Sequence, residues 1–469
     1  MKRILLSLSL ALLAFTAGAA VKLPAIISDN MVLQRETQVA LWGTADGKTV
    51  SVTPSWSGTP VSAKVGRDGS WSLRLDTPKA GGPYEISFSD GSATLSVKNI
   101  LIGEVWLCSG QSNMSMPMSG FAGQPIEGAL EVILDANPQV PVRMCMVGRK
   151  ASLSPEKDCK LSWKENTPEA ASRQGAVSYL FALRLQKVLG VPVGVINTSW
   201  GGSYMETWIS KEAFAKDWPD VKIPQAVSEK SPHHQATLLF NGMVAPLIPF
   251  TFKGIVWYQG ESNRPRAKDY ARLTATYVEM MRTLWNAPEM PFYAVQIAPY
   301  NYSNPQGPVF LMEAQEKADE AIPHTGLART LDIGDFYTIH PPRKREVADR
   351  LAALALSHDY GLKGIAADAP VFKAMKVDGA KITLSFDLKG SNLGPVNKPL
   401  EGFEVAGEDK VFHPAEAKVS GNKKGVVVVC KEVEKPVAVR YAFHNYAQAS
   451  LFNDFGIPVG PFRSDDWDQ

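Results

Sequence analysis

The run Gly103-Glu104-Val105-Trp106-Leu107-Cys108 closes on four apolar residues and passes directly into Ser109-Gly110-Gln111-Ser112-Asn113, a small polar stretch. A continuous apolar run too short for a helix, bounded by turn residues, reads as a strand buried on both faces. The figure recurs at Phe252 to Tyr258, which leads into Gln259-Gly260-Glu261-Ser262-Asn263, and at Val191 to Ile196, followed by the Gly-rich loop Asn197 to Ser203. Phe292 to Ile297 and Leu327 to Ile333 supply two more strands. Helical spacing lies between them. Ala176 to Leu189 is apolar at 177, 180, 181, 185 and 188 and stops at Gly190, and Asp269 to Trp285 carries Tyr270, Leu273, Tyr277, Met280 and Leu284 on one side. Strand, loop and helix in repetition predict an α/β domain with a parallel, doubly wound sheet. Ligands bind such sheets outside the carboxyl ends of the strands, so the loops opening at Ser109, Asn197, Gln259 and Asp332 are expected to converge.

Outward from this centre the period changes. From Lys22 to about Lys98, short apolar runs alternate with turns, among them Gln38 to Trp42, Thr49 to Thr53, Ser70 to Leu75 and Tyr84 to Phe88, which predicts a small β-sandwich. Lys381 to Phe386, Gly402 to Ala406, Val426 to Cys430 and Ala438 to Tyr441 give the last hundred residues the same character. The divisions read as 1–20, 21–98 (N-terminal β-sandwich), 99–365 (central α/β domain) and 366–469 (C-terminal β-rich domain). Met1-Lys2-Arg3, the apolar run Ile4 to Phe15 and Ala17-Gly18-Ala19-Ala20 have the order of an export signal, which predicts a periplasmic or secreted product. The run is shorter than the roughly 20 residues that span a bilayer, so membrane insertion is not expected.

Of 469 residues, 49 are Lys or Arg and 47 Asp or Glu, a net charge of +2 that offers no basic field for nucleic acid. In an oxidising compartment Cys145 and Cys159 stand close enough in sequence to bridge, although buried free thiols are the plainer reading, and the better one for Cys108 and Cys430. No feature specifies an oligomeric state.

The converging loops carry Ser112, Gly201, Gly202, Gln259, Glu261, Asp332, Asp335 and His340. A serine hydroxyl is a weak nucleophile until a base takes its proton, and imidazole is the usual base, which pairs Ser112 with His340. The backbone N–H of Ser112, an N–H of Gly201 or Gly202 and the Gln259 amide are candidate donors for an oxyanion. Each residue also has an ordinary structural explanation: a helix cap for Ser112, a positive-φ turn for the glycines, a solvated helix start for His340. His233-His234 lacks a carboxylate or thiol at ligand spacing, so no metal and no cofactor is called for.

Gly103 to Met114, Asn197-Thr198-Ser199-Trp200-Gly201-Gly202, Trp257 to Asn263 and Ile339-His340-Pro341, in that order, resemble the sialate O-acetylesterases, a branch of the SGNH hydrolases related to acetylxylan esterases. The segment Leu451 to Trp467 resembles the end of such a protein. The resemblance implies a flavodoxin-like SGNH domain that removes acetyl groups from an acetylated carbohydrate without metal, with Ser112 as nucleophile, His340 as base, Gln259 at an oxyanion position, and Gln111, Asn113 and Arg264 beside the substrate. SGNH enzymes commonly have Asp three residues before the His, where this chain has Tyr337. The third member of the triad is then Glu261, favoured, or Asp335, or is replaced by a backbone carbonyl. Arg264, Arg266 and Arg343 are the cations an anionic sugar would meet. Two other readings compete with this one. An α/β-hydrolase needs Gly-x-Ser-x-Gly, which Met114 breaks. A non-catalytic sugar-binding protein would suit the β-domains and 11 Trp.

Overall fold

Seventeen consecutive residues, Thr94–Gly110, form one strand (β1) that belongs to two parts of the molecule at once. The computed structural model describes residues 21–302 and 307–467; the expected export signal lies outside them. The first half of β1 pairs antiparallel with Gly81–Ser89 and parallel with Val32–Gln34 in the N-terminal β region. Its second half is the middle of the parallel sheet. The other strands there are β2 (Val142–Met146), β3 (Val193–Ser199), β4 (Gly254–Tyr258), β5 (Phe292–Val295) and β6 (Thr325–Ala328).

The parallel strands run in the order β2-β3-β1-β4-β5-β6. Alternation along β1 sends Trp106 and Cys108 to one face and Val105 and Leu107 to the other, so both sides need cover. Helices α1 (Ser112–Ser115), α2 (Ala176–Leu189), α3 (Ala267–Leu284), α4 (Pro308–Ala321) and α5 (Lys344–His358) follow the strands. Tyr179, Phe181 and Leu185 of α2 pack with Val347, Leu351 and Leu354 of α5 over Trp106, while Tyr270 and Tyr277 of α3 and Leu311 of α4 cover the opposite face. The fold is the flavodoxin-like α/β arrangement flanked by β-rich regions.

The sheet differs from the expected one in two places. β2 was not expected as a strand, because Arg143 interrupts its apolar pattern; the guanidinium is buried there and pairs with Glu165 at 3.0 Å. The run Leu327 to Ile333 leaves the sheet after Ala328, where the Thr330 hydroxyl donates to the carbonyls of Gln296 and Ile297 and turns the chain. In the C-terminal region two four-stranded antiparallel sheets enclose a core of Ile382, Leu384, Val426 and Val428 against Phe403, Val405, Val439 and Tyr441, and Leu331 of the central domain joins it. All four cysteines are free thiols; Cys145 is buried within β2, which pushes its thiol well up, and Cys159 stands half-buried beyond.

Candidate active site

β1 lies between β3 and β4, so the loops leaving those three strands begin side by side. Gly110, at φ 141°, makes the approach possible: a Cβ there would sit 2.1 Å from the Tyr258 carbonyl oxygen of β4. The Gln111 N–H donates to the same carbonyl and the Trp200 N–H to Gly110 O, which ties all three loops together.

At the junction the Ser112 Oγ lies 2.8 Å from His340 Nε2. On the other side of the ring, Nδ1 is 2.7 Å from Gln124 Oε1, and the Phe121 ring meets the imidazole edge to face at 5.2 Å. A carbonyl oxygen accepts only, so it fixes the proton on Nδ1 and leaves the Nε2 lone pair facing the hydroxyl. Burial, with the nearby Lys344 cation, lowers the imidazole to about 4 and keeps it neutral at ordinary pH. The loop Trp200 to Ser203 passes over Ser112, and a Cβ on Gly201 would come 3.4 Å from Ser112 Cβ. Among the described residues no acceptor takes the N–H of Ser112, Gly201 or Gly202. Gly202 has φ 75°, the left-handed turn that glycine permits.

Behind the serine is a buried network. The Asn113 Nδ2 donates to Glu261 Oε1 at 2.6 Å and to the Ile339 carbonyl at 3.1 Å, and Lys344 Nζ donates to Asn113 Oδ1 at 2.5 Å. Asn113, Glu261 and Lys344 are each at least 97% buried. Burial raises the Glu261 carboxyl and lowers the Lys344 ammonium to about 7, and the opposite charge of each partner works against both shifts. Asn113, next to Ser112, is thus joined to Ile339, next to His340.

Several expected roles are revised by this geometry. Glu261 bonds Asn113, and Asp335 accepts from the N–H groups of Tyr337 and Thr338, so neither acid reaches His340. The Gln259 amide donates to Ser203 O at 3.0 Å and Asn263 Oδ1 at 2.8 Å, which uses both hydrogens and makes it a brace between loops, not an oxyanion donor. Gln111 is buried and accepts from Gly260 and Ser262, and Asn113 is fully enclosed, so neither faces a substrate. Arg264 stacks 3.5 Å over the Tyr302 ring. Arg266 pairs with Glu206 and Arg343 with Glu346. His233 and His234 stack between Trp200 and Tyr204. Gln124 and Lys344 were not foreseen. Lys344 left a trace, a cation four residues after His340 at the start of an apolar helix, whereas Gln124 in Gly-Gln-Pro left none.

The arrangement holds a hydroxyl against a neutral imidazole with unengaged N–H groups beside it, the requirements of acyl transfer through a serine ester. Residues 102–355 match the family model described as carbohydrate esterase, sialic acid-specific acetylesterase. The chain is 28% identical to the sialate O-acetylesterase of Mus musculus, with 95% of each chain covered. It is 31% identical to that of Homo sapiens over 76% of this chain and 74% of the relative. A solved carbohydrate acetylesterase from Xanthomonas citri superposes with a TM-score of 0.87 at 34% identity, covering 95% of this chain and all of the other.

Proposed function

The chain belongs to the sialic acid-specific acetylesterase family of carbohydrate esterases, and from that premise we propose that it is an exported serine esterase that removes O-acetyl groups from sugars, O-acetylated sialic acids first among them. The observation that carries the catalytic reading is the 2.8 Å contact between Ser112 Oγ and His340 Nε2, with the ring turned by Gln124. Nε2 takes the hydroxyl proton as Oγ attacks the acetyl carbonyl carbon. The N–H groups of Ser112 and Gly201 receive the negative oxygen, each donor lowering the barrier by about 3 kcal/mol. The imidazolium returns its proton to the departing sugar oxygen, leaving an acetyl-serine. A water molecule, deprotonated by the same imidazole, then attacks that ester, and acetate leaves as Oγ regains its proton.

Export is supported by the order of residues Met1 to Ala20. Among the described residues no helix is long and apolar enough to cross a membrane. Acetate release from a chromogenic acetyl ester, from O-acetylated sialic acid and from acetylated xylose tests the function. Ser112→Ala should lower kcat at least about a thousandfold on all three, and sialic acid should be the best sugar. A wild-type protein inert on every ester sinks the enzymatic reading, and a preference for acetylated xylose sinks the sialate assignment alone.

A further inference from the structure

Tyr337 is 89% exposed and Phe336 42% exposed, an unusual state for two aromatic side chains in a loop whose backbone is held firmly. Asp335 accepts from the N–H of both Tyr337 and Thr338, the His340 N–H donates to the Thr338 hydroxyl, and Thr338 Oγ1 stands 3.4 Å from Gln124 Oε1. The loop is fixed, yet its rings point away from the core. Phe336 meets Tyr337 edge to face at 5.2 Å and meets Tyr446, from the C-terminal β region, at 5.2 Å as well. Gln448 donates to Gly334 O and to the Tyr446 hydroxyl, and the Ala449 N–H donates to Leu331 O, so the two segments are bound together beneath the patch.

Only two residues separate Tyr337 from His340, so their Cα atoms lie within about 11 Å of each other and the patch belongs to the loop that carries the imidazole. Exposed aromatic rings, with the phenol hydroxyls of Tyr337 and the half-buried Tyr446 beside them, suit the apolar face and equatorial hydroxyls of a pyranose. The aromatic stack on the other flank of Ser112 is different. There Trp200, His233, His234 and Tyr204 lie against one another and are flanked by Arg149 and Arg266, so those rings already have neighbours. Tyr337 meets Phe336 and otherwise faces solvent.

We propose that Phe336, Tyr337 and Tyr446 form a second carbohydrate subsite that holds the sugar units adjoining the acetylated one, so that the enzyme acts on acetylated glycan chains in preference to the isolated sugar. The proposal rests on the acetylesterase reading and deepens it: His340 and Ser112 act on the ester while the patch, built jointly by the base-bearing loop and the C-terminal β region, grips the rest of the chain. It also gives that β region a part in substrate choice.

The test compares kcat/KM on O-acetylated sialic acid with O-acetylated sialyllactose, and on acetylated xylose with acetylated xylotriose, using a chromogenic acetyl ester as internal reference. In the wild type the oligosaccharide is favoured. In Tyr337→Ala and Phe336→Ala the ratio of oligosaccharide to reference falls about tenfold, through KM. Equal changes on every substrate, or none, overturn the subsite. So does a shift of Tyr337→Ala in sedimentation velocity at unchanged ratios, which would assign the patch to a second copy. Calorimetric titration with unacetylated sialyllactose and xylotriose needs no turnover; weaker binding of both variants than of wild type supports the subsite even in a protein without esterase activity, and equal binding overturns it.

Discussion

His340 has no carboxylate against Nδ1, and that single substitution of partner governs how the site responds to pH. A carboxylate would stabilise the imidazolium, but the Gln124 carbonyl does so only as a dipole, while burial and Lys344 act against the cation. The folded-state value is depressed to about 4, so the neutral base is present above that pH and lost below it. On a small acetyl ester, kcat/KM should stay level from pH 7 to about 5 and halve near 4. Gln124→Glu should move this acid limb up by about one pH unit or more, because the new carboxylate favours the charged ring. A wild-type limb already near the ordinary histidine value would refute the burial argument. The pairing of Ser112 with His340 was legible in the sequence because each residue lies in a loop expected to follow a strand. Gln124 was not, since nothing in its neighbours marks a glutamine that will meet an imidazole 216 residues away.

At the scale of elements, α5 begins with a cation that its own apolar pattern does not explain. Lys344 points under α1 and meets Asn113, while Glu261, from the loop after β4, bonds the same amide. Glu261 and Lys344 meet through Asn113 and not as a direct ion pair, and removing either leaves a buried group without its hydrogen-bond partner, at a cost of about 3 kcal/mol. Glu261→Gln and Lys344→Met should therefore each lower Tm by several degrees, and the double variant should be more stable than either single one. Lys344→Met should in addition raise the acid limb of kcat/KM, because the charge that opposes the imidazolium is gone. If Glu261→Gln instead removed activity with Tm unchanged, the carboxylate would act directly in catalysis and the bracing role would be wrong. The strands and helices around this network were readable from periodicity. β2 escaped because its buried Arg143 looks like a surface residue until Glu165 is seen beside it.

For the whole molecule, the continuity of β1 matters most. Its residues 94–102 pair with Gly81–Ser89, and Glu104 accepts from Gln34 at 2.9 Å and Arg35 at 2.6 Å. A chain lacking residues 21–98 would open one side of the strand that carries Ser112 and expose Ile100 and Ile102, both wholly buried in the intact protein. Such a chain should be insoluble or melt without a cooperative transition, as followed by calorimetry and circular dichroism. Retention of the full-length Tm and activity would show that the N-terminal region is dispensable.

By itself the sequence determined the α/β class, the β-rich flanks and the Ser112–His340 pair, because periodicity and the position of loops after strands are local properties written in consecutive residues. Only the tertiary structure decided that Gln124 orients the imidazole, that Glu261, Gln259 and Asn113 brace the loops, and that β1 runs unbroken from one region into the next. Those outcomes depend on separations of about 3 Å between atoms far apart along the chain, and hydrogen-bond geometry at that range is set by how the whole sheet and its loops pack.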